Sequence, residues 1–134
     1  MARDKASTKP RLEKLGVAEG TVVSVLAVDD PALPGELTKR GAVASFGRAR
    51  AGSNVVLLGA RSPRDLARLA RLRETIRENG AIWVLWPKGR PELREDDVRA
   101  AALRVGLVDV KVAAFSSTLA ALKLVIPKAL RRAE

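Results

Sequence analysis

The sequence contains no cysteine and no histidine. Without cysteine there is no disulfide, no thiolate nucleophile and no cysteine metal site, and the chain fits a reducing compartment. Without histidine the commonest general base and the commonest metal ligand are both missing. Aromatic residues are 3% of the chain, two Trp and two Phe, so the stacking platform typical of single-strand nucleic-acid binders is not visible. No apolar run approaches the roughly 20 residues that span a bilayer. Met1 to Pro10 has charges with no apolar core behind them and does not read as a signal peptide. A cytoplasmic protein is expected.

What is present is a globular balance. The chain has 134 residues, 47% hydrophobic and 30% charged, enough for one domain with a real core. Basic residues outnumber acidic ones by 25 to 15, a formal net charge of +10. An excess of that sign attracts anionic polymers, nucleic acid first among them. The plainer reading is that solvated helix faces rich in arginine reflect a high-GC genome. An acidic protein partner fits the same charge; a membrane partner is not expected.

The pattern along the chain is organised around Asn79-Gly80-Ala-Ile-Trp-Val-Leu-Trp-Pro-Lys88. Gly80 reads as a left-handed helix stop, Ala81 to Trp86 as a strand buried on both faces, and Pro87 as its end. Trp83 and Trp86 differ by an odd number and should point to opposite faces. Before this segment come a basic arm over residues 1–10, one helical turn near Leu12, a strand over Thr21 to Val28, and a short or broken helix from Pro31 to Arg40 around Pro34 and Gly35. A second strand ends at Phe46. A basic loop over residues 47–53 leads to a strand over Asn54 to Leu58. The next helix is the best marked: Ser62 as N-cap, Pro63 at its first position, Asp65 placed for a capping box, and an apolar stripe of Leu66, Leu69, Leu72 and Ile76. Glu74 and Glu78 should pair locally with Arg73 and Arg77. A helix over Glu92 to Val105, a hairpin over Leu107 to Ile126, and a basic tail over residues 128–134 complete the chain. Residues 11–127 are expected to form one domain.

Strands alternating with helices imply a mainly parallel sheet with helices on both faces. A terminal antiparallel hairpin on such a sheet marks the class I methyltransferase variant of the doubly wound fold. The expected class is therefore α/β, Rossmann-like and methyltransferase-like in shortened form. Three segments, Lys14-Leu-Gly-Val-Ala-Glu-Gly20, Gly80-Ala-Ile-Trp-Val-Leu-Trp-Pro-Lys88, and Gly106-Leu-Val-Asp-Val-Lys-Val112 with Leu122-Lys123, resemble a small bacterial family catalogued as domain of unknown function 3052. The resemblance spans roughly Leu12 to Val125. It departs at Arg94, where the family often has a capping Thr, and at Ser116 to Leu119, where it often has an acidic pair followed by Thr-Trp. The family has no settled activity, so the resemblance implies fold rather than function.

The chemistry-bearing residues fall at strand ends. A methyltransferase of this fold uses a glycine-rich turn after its first strand and an acid at the end of its second, which accepts the ribose hydroxyls. Here Leu26-Ala-Val-Asp-Asp-Pro31 and Phe46-Gly-Arg48 stand in those places. No cofactor, no metal and no catalytic residue is therefore assigned. A ligand crevice is expected from Asp29, Asp30, Gly59, Arg61, Ser62 and Lys88, which all lie at carboxyl ends of strands. Against it, Ser62 caps a helix and Arg61 pairs with Asp29 or Asp30. A non-catalytic binding or regulatory module is the first functional expectation. A nonspecific nucleic-acid binder using Arg48, Arg50, Arg64, Arg68 and Arg71 is the alternative, and a methyltransferase-related enzyme the third.

Overall fold

A computed structural model describes residues 10–131; the expected arm (but for Pro10) and the last residues of the tail lie outside them. The elements run α1 (Arg11–Lys14), β1 (Val22–Leu26), α2 (Leu33–Arg40), β2 (Val43–Phe46), β3 (Ser53–Gly59), a 3₁₀ segment (Pro63–Arg68) continuing into α3 (Leu69–Thr75), β4 (Ile76–Pro87), α4 (Glu95–Arg104), β5 (Val108–Ala114) and β6 (Leu119–Val125). Six strands form one sheet in the order β2-β1-β3-β4-β6-β5. The first four are parallel, and β6 runs antiparallel to both of its neighbours, β4 and β5. This is the expected α/β sheet. Its central strand is the fourth where the methyltransferase-like fold has its fifth, so the shortening falls before β4.

Both faces of the sheet are covered. On one, Leu12, Leu15, Leu33 and Leu37 from α1 and α2 pack on Val23, Val25, Leu57 and Trp83. On the other, Leu66, Leu69, Leu72, Val98 and Ala102 pack on Leu26, Val56, Leu58, Ile82, Val84 and Trp86. The two indoles therefore face opposite layers, as strand parity requires. The Trp83 indole N–H donates to the Leu15 carbonyl at 3.1 Å, fastening α1 to the central strand.

Three local expectations are corrected. The helix after Ser62 opens as 3₁₀ and stops at Thr75; Ile76 to Asn79 are extended and belong to β4. Ile76 pairs with Ser53, and three extra residues bulge out before Ala81 pairs with Val55. Gly80 is therefore no left-handed stop. A Cβ there would lie 2.9 Å from the Asn54 carbonyl oxygen, so glycine serves the close approach of β4 to β3 at the bulge. Arg73 donates to the Gly106 carbonyl at 3.3 Å, and Arg77 and Glu78 lie in the strand, so Arg73, Glu74, Arg77 and Glu78 do not share one helix as expected. The helix around Pro34 and Gly35 is short, as expected, and it runs unbroken because Pro34 falls in its first turn, where no N–H is required.

The connection from β2 to β3 shapes the site. Both strands are parallel to β1 and lie on either side of it, yet only residues 47–52 join them. Parallel crossovers take a dozen or more residues and usually a helix. Here a strap crosses β1 directly, with Ala49 packed on the core of the α3–α4 face. Small side chains permit it. The Arg50 N–H donates to Ser24 Oγ at 2.8 Å, and Ser53 Oγ donates to the Arg50 carbonyl. With its own hydrogen so committed, Ser53 must accept from Ser24, 2.8 Å away, which closes a buried ring of three bonds. Among the described residues, no helix is long and apolar enough to cross a membrane.

Candidate functional site

β2 and β3 leave β1 on opposite sides, and open α/β sheets form their ligand crevice at such a switch point. One is present here. A depression of about 480 Å³ is walled by Val25 and residues 27–29 after β1, Phe46 and Gly47 after β2, and Gly59, Arg61, Asp65 and Arg68 after β3. An adjoining space of about 260 Å³ shares residues 27–29, 59 and 61 and extends to Leu85, Pro87, Arg90, Thr118 and Leu119. The size suits a small ligand.

The floor depends on two backbone features. Ala27 is left-handed, with φ 57°, the only non-glycine described with positive φ. The conformation costs an alanine roughly 1–2 kcal/mol. Gly59 lies against it: a Cβ on Gly59 would fall 2.0 Å from the Ala27 carbonyl oxygen. The turn after β1 thus has no glycine of its own, yet it makes the reversal for which glycine is usually required, and the neighbouring strand supplies the glycine that makes room.

The expected crevice residues separate. Asp29, Gly59 and Arg61 line the depression. Asp29 and Arg61 make no ion pair with each other or with any described residue. Asp30 turns away: its carboxylate takes the Arg11 guanidinium at 2.8 Å, which holds it below the usual carboxylate range. Ser62 stands at the N-cap, and the Asp65 carboxylate accepts the N–H groups of Arg61 (2.8 Å) and Ser62 (3.3 Å), so these amides are taken by the chain itself. Lys88 is not among the lining residues; its N–H donates to the Thr118 carbonyl, and the cation that reaches the crevice past β4 is Arg90.

Of the basic set, Arg68 lines the crevice, and Arg48, Arg68 and Arg71 line a groove of about 960 Å³ between the strap and α3. Arg50 and Arg64 are exposed and line neither. Sequence reasoning missed two features as ligand contacts. Phe46 is 51% exposed on the crevice wall, where the second-strand acid would stand. Its signal was an aromatic at the carboxyl end of a short strand. Ala27 carried no signal, since alanine ordinarily avoids positive φ.

Phe46 stands at the place of the ribose-holding acid, and Asp65, one of the two crevice acids, is committed to backbone amides, while Asp29, the other, makes no ion pair with a described residue. Among the described residues no group of three acids converges to hold a metal.

No protein-family model matches the chain, and no curated protein matches it in sequence. Solved structures do match in fold. The magnesium protoporphyrin IX methyltransferase of Synechocystis PCC 6803, solved with bound SAM, superimposes with a TM-score of 0.66 at 13% identity, over 87% of this chain and 74% of that one. A TehB-like SAM-dependent methyltransferase from Corynebacterium glutamicum gives 0.62 at 14% identity, over 93% and 94%. A protein of the NADB-Rossmann superfamily from Streptococcus agalactiae gives 0.59 at 14%, over 88% and 68%. At such identities the likeness concerns architecture alone, and the chain has the Rossmann-like fold of the class I methyltransferases.

Proposed function

We propose that this is a non-catalytic binding module whose residues 11–127 keep the methyltransferase-like crevice as a pocket for a small ligand bearing a planar ring and a phosphate group. The observation that carries the reading is the composition of one wall. Phe46 stands exposed at the position of the ribose-holding acid, and Arg61 and Arg68 stand beside it without carboxylate partners among the described residues. An aromatic face stacks a planar ring, and a guanidinium binds phosphate or carboxylate. The absence of His and Cys, the commonest general base and a common nucleophile, supports binding over chemistry. A cytoplasmic setting accords with the missing cysteines, and the likeness to the family of unknown function 3052 rests on the three quoted segments.

Calorimetry with adenosine monophosphate and S-adenosylmethionine as probes tests the reading. Saturable binding of the monophosphate, lost in Phe46→Ala, is expected, with no measurable heat from S-adenosylmethionine. Saturable micromolar binding of S-adenosylmethionine would overturn it in favour of a methyltransferase-related enzyme.

A further inference from the structure

The crevice and the groove beside the strap adjoin. They meet at Gly47 and Arg68, which line both. The groove wall is built from small side chains, Ala49 and Ala51 on the strap, Ala67 and Ala70 on the helical segment, with Arg48, Arg68 and Arg71 also lining it. Several arginines elsewhere in the molecule are occupied. Arg11 holds Asp30 and Glu36, Arg99 holds Glu95, Asp96 and Asp109, and Arg40 and Arg73 donate to carbonyls. The three groove arginines have no such partner among the described residues, and Glu74 is the single carboxylate on the groove wall. At the crevice end of this basic path stands the exposed ring of Phe46.

We propose that this trough binds single-stranded nucleic acid, with one base stacked on Phe46 in the crevice and the following phosphates tracked by Arg68, Arg71 and Arg48. The inference rests on the crevice being a ligand site and names the polymer that extends from it. A positive groove joined to an aromatic face is the arrangement that holds unpaired strands. A duplex offers no free base face to the ring, and an acidic peptide supplies the charge without a base to stack.

Fluorescence anisotropy of a labelled oligothymidylate of eight nucleotides, titrated over a range of salt, tests it. Arg48→Gln with Arg71→Gln should lower the log–log salt slope by about 1.4, at about 0.7 per phosphate contact on a single strand. Phe46→Ala should weaken binding by roughly 5- to 150-fold with the slope unchanged. Lys39→Gln with Arg104→Gln removes the same charge from exposed positions outside the trough and should leave the slope as it is. The proposal is overturned if Phe46→Ala has no effect, if the control pair lowers the slope as much as the groove pair, or if polyglutamate displaces the oligonucleotide at equal concentration. Binding of adenosine monophosphate without binding of the oligonucleotide at low salt overturns the trough and leaves the crevice reading standing. Binding of neither overturns both.

Discussion

Trp83 is wholly buried at the middle of β4, and its N–H satisfies the Leu15 carbonyl. Truncating a buried indole loses its transfer energy and leaves a cavity, about 3–5 kcal/mol, and here it also strands a carbonyl. That is a large part of the roughly 5–15 kcal/mol that stabilises a domain. Trp83→Ala should be largely unfolded or insoluble. Lys88→Ala alters an exposed side chain whose backbone N–H makes the only bond seen there, and should change stability by less than about 0.5 kcal/mol. Paired urea unfolding reads both, and near-native stability of Trp83→Ala would contradict its burial. At the crevice floor the backbone itself is the variable. Ala27→Gly relieves a left-handed alanine and should raise stability by about 0.5–1 kcal/mol. Gly59→Ala drives a methyl into the Ala27 carbonyl, and should lower it by about 1–3 kcal/mol or more. Thermal midpoints that move together in one direction would show that the two residues are not opposed in this way.

Among the elements, the strap is the least conventional. It does the work of a crossover helix with six residues, 47–52, because the bonds among Ser24, Arg50 and Ser53 replace the packing a helix would bring. Breaking one member leaves buried polar atoms unsatisfied, at about 1–3 kcal/mol. Ser24→Ala and Ser53→Ala should each destabilise within that range. The double variant should cost less than the sum by about 0.5–3 kcal/mol, since each single change already opens the ring. Strict additivity in chemical denaturation would mean that the hydroxyls act separately. The same element carries Arg48 to the groove, so its anchoring and the placement of that cation are one structural fact.

At the scale of the whole molecule, Arg11 ties the chain together. Its guanidinium contacts Asp30 after β1, Glu36 on α2 and the Phe115 carbonyl at the end of the hairpin, and lies 4.4 Å from the centre of the Phe115 ring. The Asp30 carboxyl is depressed, first by its hydrogen bond to Arg11. A depressed folded-state pKa contributes stability above the unfolded value of 3.8 and loses it as pH falls through the folded value. Urea midpoints from neutral pH to about pH 2 should therefore fall less steeply for Asp30→Asn than for the parent, the variant having already lost the pair at neutral pH. Equal falls would mean that Asp30 does not link pH to stability.

The sequence by itself determined the sheet. Alternating strands and helices, the apolar run of β4, the parity of its two indoles and the closing hairpin are written in local periodicity, which a backbone of fixed repeat can only satisfy one way. It also placed Asp29, Gly59 and Arg61 at strand ends, and strand ends of a parallel sheet meet in one crevice. Only the tertiary structure decided the rest. Ile76 to Asn79 left the helix because β3 offers Ile76 a strand partner at Ser53. Asp30 left the crevice because Arg11, far away in the chain, reaches it first. Ala27 took a conformation alanine avoids because Gly59 on the next strand made room for it. Each of these is a choice between nearly equal local options, and a contact from a distant part of the chain, unseen in the local pattern, supplied the deciding free energy.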